Sequence, residues 1–124
     1  MTAVPEIRCE RLYDSASGPG YRVLVDRLWP RGVKKTAFEH AEWCRDVAPS
    51  GDLRRAFHSG GMDFETFAEH YRQELTDSAA PGELLDRFEA APQRILVLLY
   101  GAKDDEHNHA QVLAERLREL AQER

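Results

Sequence analysis

Two short stretches of the chain concentrate side chains that could hold an anion and move a proton. The first supplies Asp26, Arg27 and then Arg31; the second supplies Tyr100, Lys103, Asp104, His107 and Asn108. Arginine and lysine suit phosphate or carboxylate oxygens, and a guanidinium can offer two parallel N–H groups at once. Imidazole titrates nearest to neutral pH, so His107 is the candidate acid/base group, with Asp26 placed to orient it or the substrate. Arg27, Arg31, Tyr100, Lys103, Asp104 and Asn108 are the candidate ligand-binding residues. A helix starting after Lys103 would add unpaired N–H groups and a partial positive charge to the same place.

Each of these residues also has a structural reading. Asp104 and Asp105 are most simply caps of the last helix. Asp26 and Arg27 are successive, so on a strand they point to opposite faces and only one can face a given wall. Arg27 and Arg31 could serve ion pairs. His107 and His109 stand two apart, where helical side chains diverge, and nothing nearby completes a ligand set, so neither a metal nor an organic cofactor is expected. His58 falls in HSGGMD, a loop-like, solvated setting. No nucleophile elbow, phosphate-binding glycine loop or dinucleotide fingerprint occurs. Cys9 and Cys44 have no paired spacing and read as packed, free thiols. Glu65, Glu69 and Glu74 read as a solvated helix face. Trp29 and Trp43 read as core or margin residues, with Trp29 a possible wall beside Pro30.

The elements that must position these groups follow from pattern. Residues 6–13 read as a polar, edge-like strand, 14–20 as a turn, and 21–28 as a strand around Val23, Leu24 and Val25, ended by Trp29-Pro30-Arg31-Gly32. Thr36 and Glu39 have capping-box spacing, which predicts a helix to about Val47. Ser50 caps a short helix holding Leu53 and Phe57, and Asp63 caps one whose Phe64, Phe67, Ala68, Tyr71 and Leu75 share a face. Pro81 suits the first turn of another helix. Residues 94–100 are the clearest strand, apolar on both faces and therefore central. Asp104 or Asp105 then opens a helix with a stripe of Ala110, Leu113, Leu117 and Leu120. Ligands of open α/β sheets gather at the carboxyl ends of the strands, where both stretches would meet if their strands are parallel neighbours. The link between the first two strands is about seven residues, short for a crossover between parallel neighbours, so the direction of strand one is open.

The chain has 124 residues, enough for one domain spanning 1–124 with its own core. Hydrophobic residues at 42% and charged residues at 31% exclude a disordered chain. The longest apolar run, Ile95 to Tyr100, is far below the roughly 20 residues of a membrane helix, so no membrane partner is expected. MTAVPEIRCE lacks a secretion-signal pattern, and with two free thiols the expected location is cytoplasmic. A net charge of −5 repels nucleic acid as a whole, although a local basic patch could still bind it.

Three blocks carry a family resemblance: ERLYDSASGPGYRVLVDRLWPRGVKK from residue 10, APSGDLRRAFH from residue 48, and LLYGAKDDEHNHAQVLAERL from residue 98. Together they resemble the bacterial YeaO-like family, a branch of the domain-of-unknown-function 488 group, along nearly the whole chain. The resemblance implies a Rossmann-like, three-layer α/β domain with a small, mostly parallel sheet flanked by helices. It also implies that Asp26-Arg27 and Lys103-Asp104 with His107 match two short elements of the wider group. Gly101 departs from the family, where alanine or serine is usual, which would loosen the turn before Lys103.

Three functions are consistent with these observations. The first is binding or catalysis on a small phosphate- or nucleotide-like anion at the strand ends. The second makes the motifs purely structural. The third, ranked last, is a non-enzymatic regulator or nucleic-acid-associated adaptor using the basic WPRGVKK segment. Oligomeric state is open.

Overall fold

The computed structural model describes residues 5–13, 19–34, 36, 40–104 and 106–124. Four parallel strands form one sheet in the order β1-β4-β2-β3. They are β1 (Glu6–Arg11), β2 (Tyr21–Leu24), β3 (Glu42–Trp43) and β4 (Ile95–Tyr100). β4 is central, as its two-sided apolar sequence requires: it pairs with β1 on one side and β2 on the other. That arrangement resolves the direction of strand one. β1 and β2 run parallel but are not neighbours, so no tight crossover is needed. Residues 12–20 at about 3.3 Å each can span roughly 30 Å, more than a strand's length. Arg22 of β2 reaches Glu10 of β1 at 3.2 Å, bridging the strand between them.

The helices described are α1 (Gly51–His58), α2 (Phe64–Thr76), α3 (Ala80–Ala90) and α4 (His109–Gln122). Local chemistry accounts for most of their starts. The Ser50 hydroxyl accepts from the Leu53 N–H at 3.2 Å, and the Asp63 carboxylate from the Thr66 N–H at 2.8 Å. Pro81 lies in the first turn of α3, where its missing N–H does no harm. Phe67, Tyr71, Leu84, Leu85, Leu113 and Leu117 bury the helices' apolar faces against Val23, Val25, Leu96 and Leu98. Leu24, Val97 and Leu99 point to the other face, where Leu12 and Trp29 from the connecting segments and Trp43 of β3 cover them. The small, parallel α/β domain expected from the sequence is thus formed.

Two local expectations are corrected. Residues 40–47 are not α-helical: Glu42–Trp43 form β3, and Arg45–Val47 one 3-10 turn. The capping-box spacing of Thr36 and Glu39 loses to strand pairing, because the Ala41 N–H bonds the Arg22 carbonyl at 2.6 Å and the Cys44 N–H the Leu24 carbonyl at 2.9 Å. The Trp43 indole also donates to the Asp26 carbonyl at 2.8 Å. Residues 37–39, with Glu39 itself, lie outside the described residues. The cap of α4 is Asn108, not Asp104; Asp105 lies outside the described residues. Asp104 instead accepts from the Glu106 and His107 N–H groups, each at 2.9 Å, making a turn that precedes the helix.

Candidate functional site

Parallel pairing of β2 with β4 delivers the chain leaving both strands to one end of the sheet. The Val25 N–H still bonds the Leu99 carbonyl at 3.0 Å, so Asp26 and Arg27 emerge beside Gly101 and Ala102. A cleft of about 350 Å³ opens there. Its remaining walls come from Tyr13, from the α1 region through Pro49, Arg54, Phe57 and His58, and from His107, Asn108 and His109. The α1 wall is set by capping: Glu74 of α2 accepts the Ser50 N–H at 2.9 Å and docks the start of α1. Glu74 is therefore a tie between helices, in addition to standing on a largely polar face. Phe57 stacks on Phe67 with ring centres 4.5 Å apart, making the floor apolar.

Asp26 has 19% of its side chain exposed, and His109 has 16%. One Asp26 oxygen, Oδ2, accepts the Gly101 N–H at 2.9 Å. The other, Oδ1, stands 2.9 Å from His109 Nε2, which also lies 3.2 Å from the Val25 carbonyl. A ring nitrogen facing two acceptors must carry the hydrogen, which assigns the tautomer. Its N–H is better aligned with the carbonyl, so Oδ1 sits close without a linear hydrogen bond of its own. Gly101 is the residue this arrangement needs: a Cβ there would meet Asp26 Oδ2 at 2.9 Å. This glycine makes room for the carboxylate rather than merely loosening the turn.

The second stretch is also tied to backbone. Asn108 accepts the Gln111 N–H at 3.2 Å and donates its amide to the Asp104 carbonyl at 2.9 Å. The N–H groups of His107 and Glu106 hold the Asp104 carboxyl below its ordinary range. His107 Nδ1 lies 3.3 Å from Asp104 Oδ2, and its ring meets Phe64 edge-on at 5.2 Å. His107 and His109 thus turn to different partners, as their spacing predicts.

Of the sequence candidates, Asp26, Arg27, His107 and Asn108 line the cleft. Arg31, Lys103 and Asp104 are exposed outside its lining. Tyr100 is 2% exposed and packs in the core beneath. Arg31 follows the Trp29-Pro30 corner and precedes Gly32, whose φ of 76 is a left-handed turn conformation that suits glycine. Trp29 packs against Trp43 at 5.3 Å on the sheet's second face and does not line the cleft, whereas Pro30 does. Among the basic side chains of the lining, three were not singled out as ligands from sequence: Arg54, His58 and His109. Arg54, Phe57 and His58 have i, i+3, i+4 spacing after the Ser50 cap, a legible sign that they share one helix face. His58 is the last residue of α1, not a loop residue. Nothing in the sequence pairs His109 with Asp26. Burial pushes the Cys9 thiol up to about 11 and raises Cys44 as well, so neither is a thiolate near neutral pH.

A family model described as the inactive DUF488-N3 subclade matches residues 6–124. The chain is 48% identical over 115 residues to "Uncharacterized protein YeaO" of Escherichia coli, covering 92% of this chain and 98% of that protein. It is 36% identical over 118 residues to "Uncharacterized protein Rv3073c" of Mycobacterium tuberculosis, covering 94% of this chain and 98% of that protein. No solved structure matches it. Among the described residues, no helix is long and apolar enough to cross a membrane.

Proposed function

The chain belongs to the DUF488-N3i family, and we propose that it is a binding domain for a small anion, held in the cleft at the carboxyl ends of β2 and β4 without being turned over. The observation that carries this reading is the pair of arginines, Arg27 and Arg54, on one largely apolar cleft. The carboxylate beside them, Asp26, is already engaged by Gly101 and His109. A guanidinium in such surroundings favours an oxyanion more than the same group does in open water. Arg54 Nε is buried and has no hydrogen-bond partner among the described residues.

A subclade described as inactive supports binding over catalysis. So does the engagement of His107 with Asp104 and of Asp26 with backbone, which gives these two the role of scaffold. Free Cys9 and Cys44 fit a reducing compartment, the cytoplasm.

The test is thermal unfolding against rising inorganic phosphate, with sodium chloride matched for ionic strength. A ligand that prefers the native state raises the melting temperature with concentration. The Arg27→Ala, Arg54→Ala double variant should keep its fold and lose most of that rise. A folded double variant with an unchanged phosphate response would overturn the proposal.

A further inference from the structure

We propose that the anion carries a flat apolar ring, so that the ligand class is an aryl carboxylate or aryl phosphate, not free phosphate or a sugar phosphate. This deepens the anion-binding reading and rests on it. Tyr13 and Leu28, at 55% and 56% exposure, are the exposed large hydrophobics of the described residues, and both stand at this one cleft. Scattered apolar side chains on a surface are ordinary, but two large ones at the mouth of a cationic cleft mark a surface that a ligand can cover. The Arg11 guanidinium lies over the Tyr13 ring, 5.2 Å from its centre, and in this reading the flat partner stacks on the ring's opposite face. The stacked Phe57 and Phe67 provide a second aromatic surface below.

The polar side of the cleft explains why a sugar fits poorly. Both ends of the Asn108 amide are engaged, by Gln111 and Asp104. Asp26 and His109 are engaged with each other, with Gly101 and with Val25. Apart from Asp26 Oδ1, which lacks a hydrogen bond of its own, ribose hydroxyls placed there would lose water without gaining partners. The guanidiniums of Arg27 and Arg54 meet one anionic group, and apolar walls meet the rest. A volume of about 350 Å³ is at the small end of ligand clefts, which suits a single ring with one charged substituent.

Calorimetric titration of the full chain with phenyl phosphate, inorganic phosphate and ribose 5-phosphate, at matched ionic strength, tests this. Phenyl phosphate should bind at least 10-fold more tightly than either of the others. In the Tyr13→Ser, Leu28→Ser double variant that advantage should fall below about 3-fold, with inorganic phosphate affinity unchanged. Both residues are exposed, so the variant should fold, as circular dichroism would check. Equal affinity for all three ligands, or tighter binding of ribose 5-phosphate, would overturn the ring preference and leave the anion reading standing. An advantage that survives in the variant would overturn the ring wall assigned to Tyr13 and Leu28. No binding of any of the three to folded protein would overturn both readings.

Discussion

Replacing Asp26 by alanine removes the acceptor that joins the end of β2 to the turn after β4. The Gly101 N–H loses its partner at 2.9 Å, and His109 loses the carboxylate 2.9 Å from Nε2. A hydrogen bond to a charged group contributes about 1.5–3 kcal/mol net, and orphaning a buried donor costs about 1–3 kcal/mol. Gly101 is only partly buried, so water can reach its N–H in part, and the expected loss is about 2–4 kcal/mol. Asp26→Asn keeps one oxygen for Gly101 and should lose only about 1 kcal/mol. Urea unfolding at pH 7, followed by circular dichroism, measures both. With an m-value of about 1.5 kcal/mol/M, a loss of ~3 kcal/mol moves the midpoint down by about 2 M. Combining Asp26→Ala with His109→Ala should give a coupling of roughly 0.5–3 kcal/mol, because the two side chains are in contact. An alanine variant within about 0.5 kcal/mol of the parent, at unchanged m, would refute the scaffold role of Asp26, since a surface substitution away from any such contact behaves that way.

Four further outcomes are expected. Gly101→Ala places a methyl 2.9 Å from the Asp26 carboxylate and should destabilise by roughly 1–3 kcal/mol, read by the same urea titration; a neutral result would mean that the carboxylate moves freely. Leu113→Ala, at a site with no exposed surface between α4 and the sheet, should lose about 2–5 kcal/mol, and a loss below 1 kcal/mol would place that helix outside the core. Cys9, its thiol pushed up to about 11 by burial, should resist an aromatic disulfide reagent at pH 8 until urea unfolds the chain; prompt reaction of the native protein would contradict the packing. The Asp63 and Asp104 carboxyls are held below the ordinary carboxylate range, Asp63 by hydrogen bonds from Thr66 and Asp104 by the His107 and Glu106 N–H groups. Because the folded values lie below the unfolded ones, their stabilisation is complete above about pH 4 and is lost as pH falls through the lowered folded values. The Asp63→Asn variant should therefore show a shallower fall of unfolding free energy with acid, and an identical slope would exclude that contribution.

Local signals carried far in this chain, and they did so where the physics is local. Ser50 and Asp63 cap α1 and α2 through N–H groups three residues on, a relation contained within one turn of helix. The two-faced apolar run at Ile95–Leu99 could only be a covered, central strand, and β4 is one. The meeting of the segments after β2 and β4 at one sheet end follows from two adjacent parallel strands, and the sequence raised that possibility without deciding it. Tertiary structure alone decided the rest. Glu42–Trp43 became a strand because β2 offered unpaired N–H and C=O groups, a bond across the sheet outweighing a capping-box pattern. Asn108 capped α4 because Asp104 was already closing the turn before it. Arg54, forty-six residues before Tyr100 in the chain, reached the cleft through the docking of α1 on α2, whereas Arg31, much nearer to Asp26, is exposed outside its lining. Which cations share a pocket depends on how whole elements pack, and that information is spread over contacts too distant in the chain for spacing to reveal.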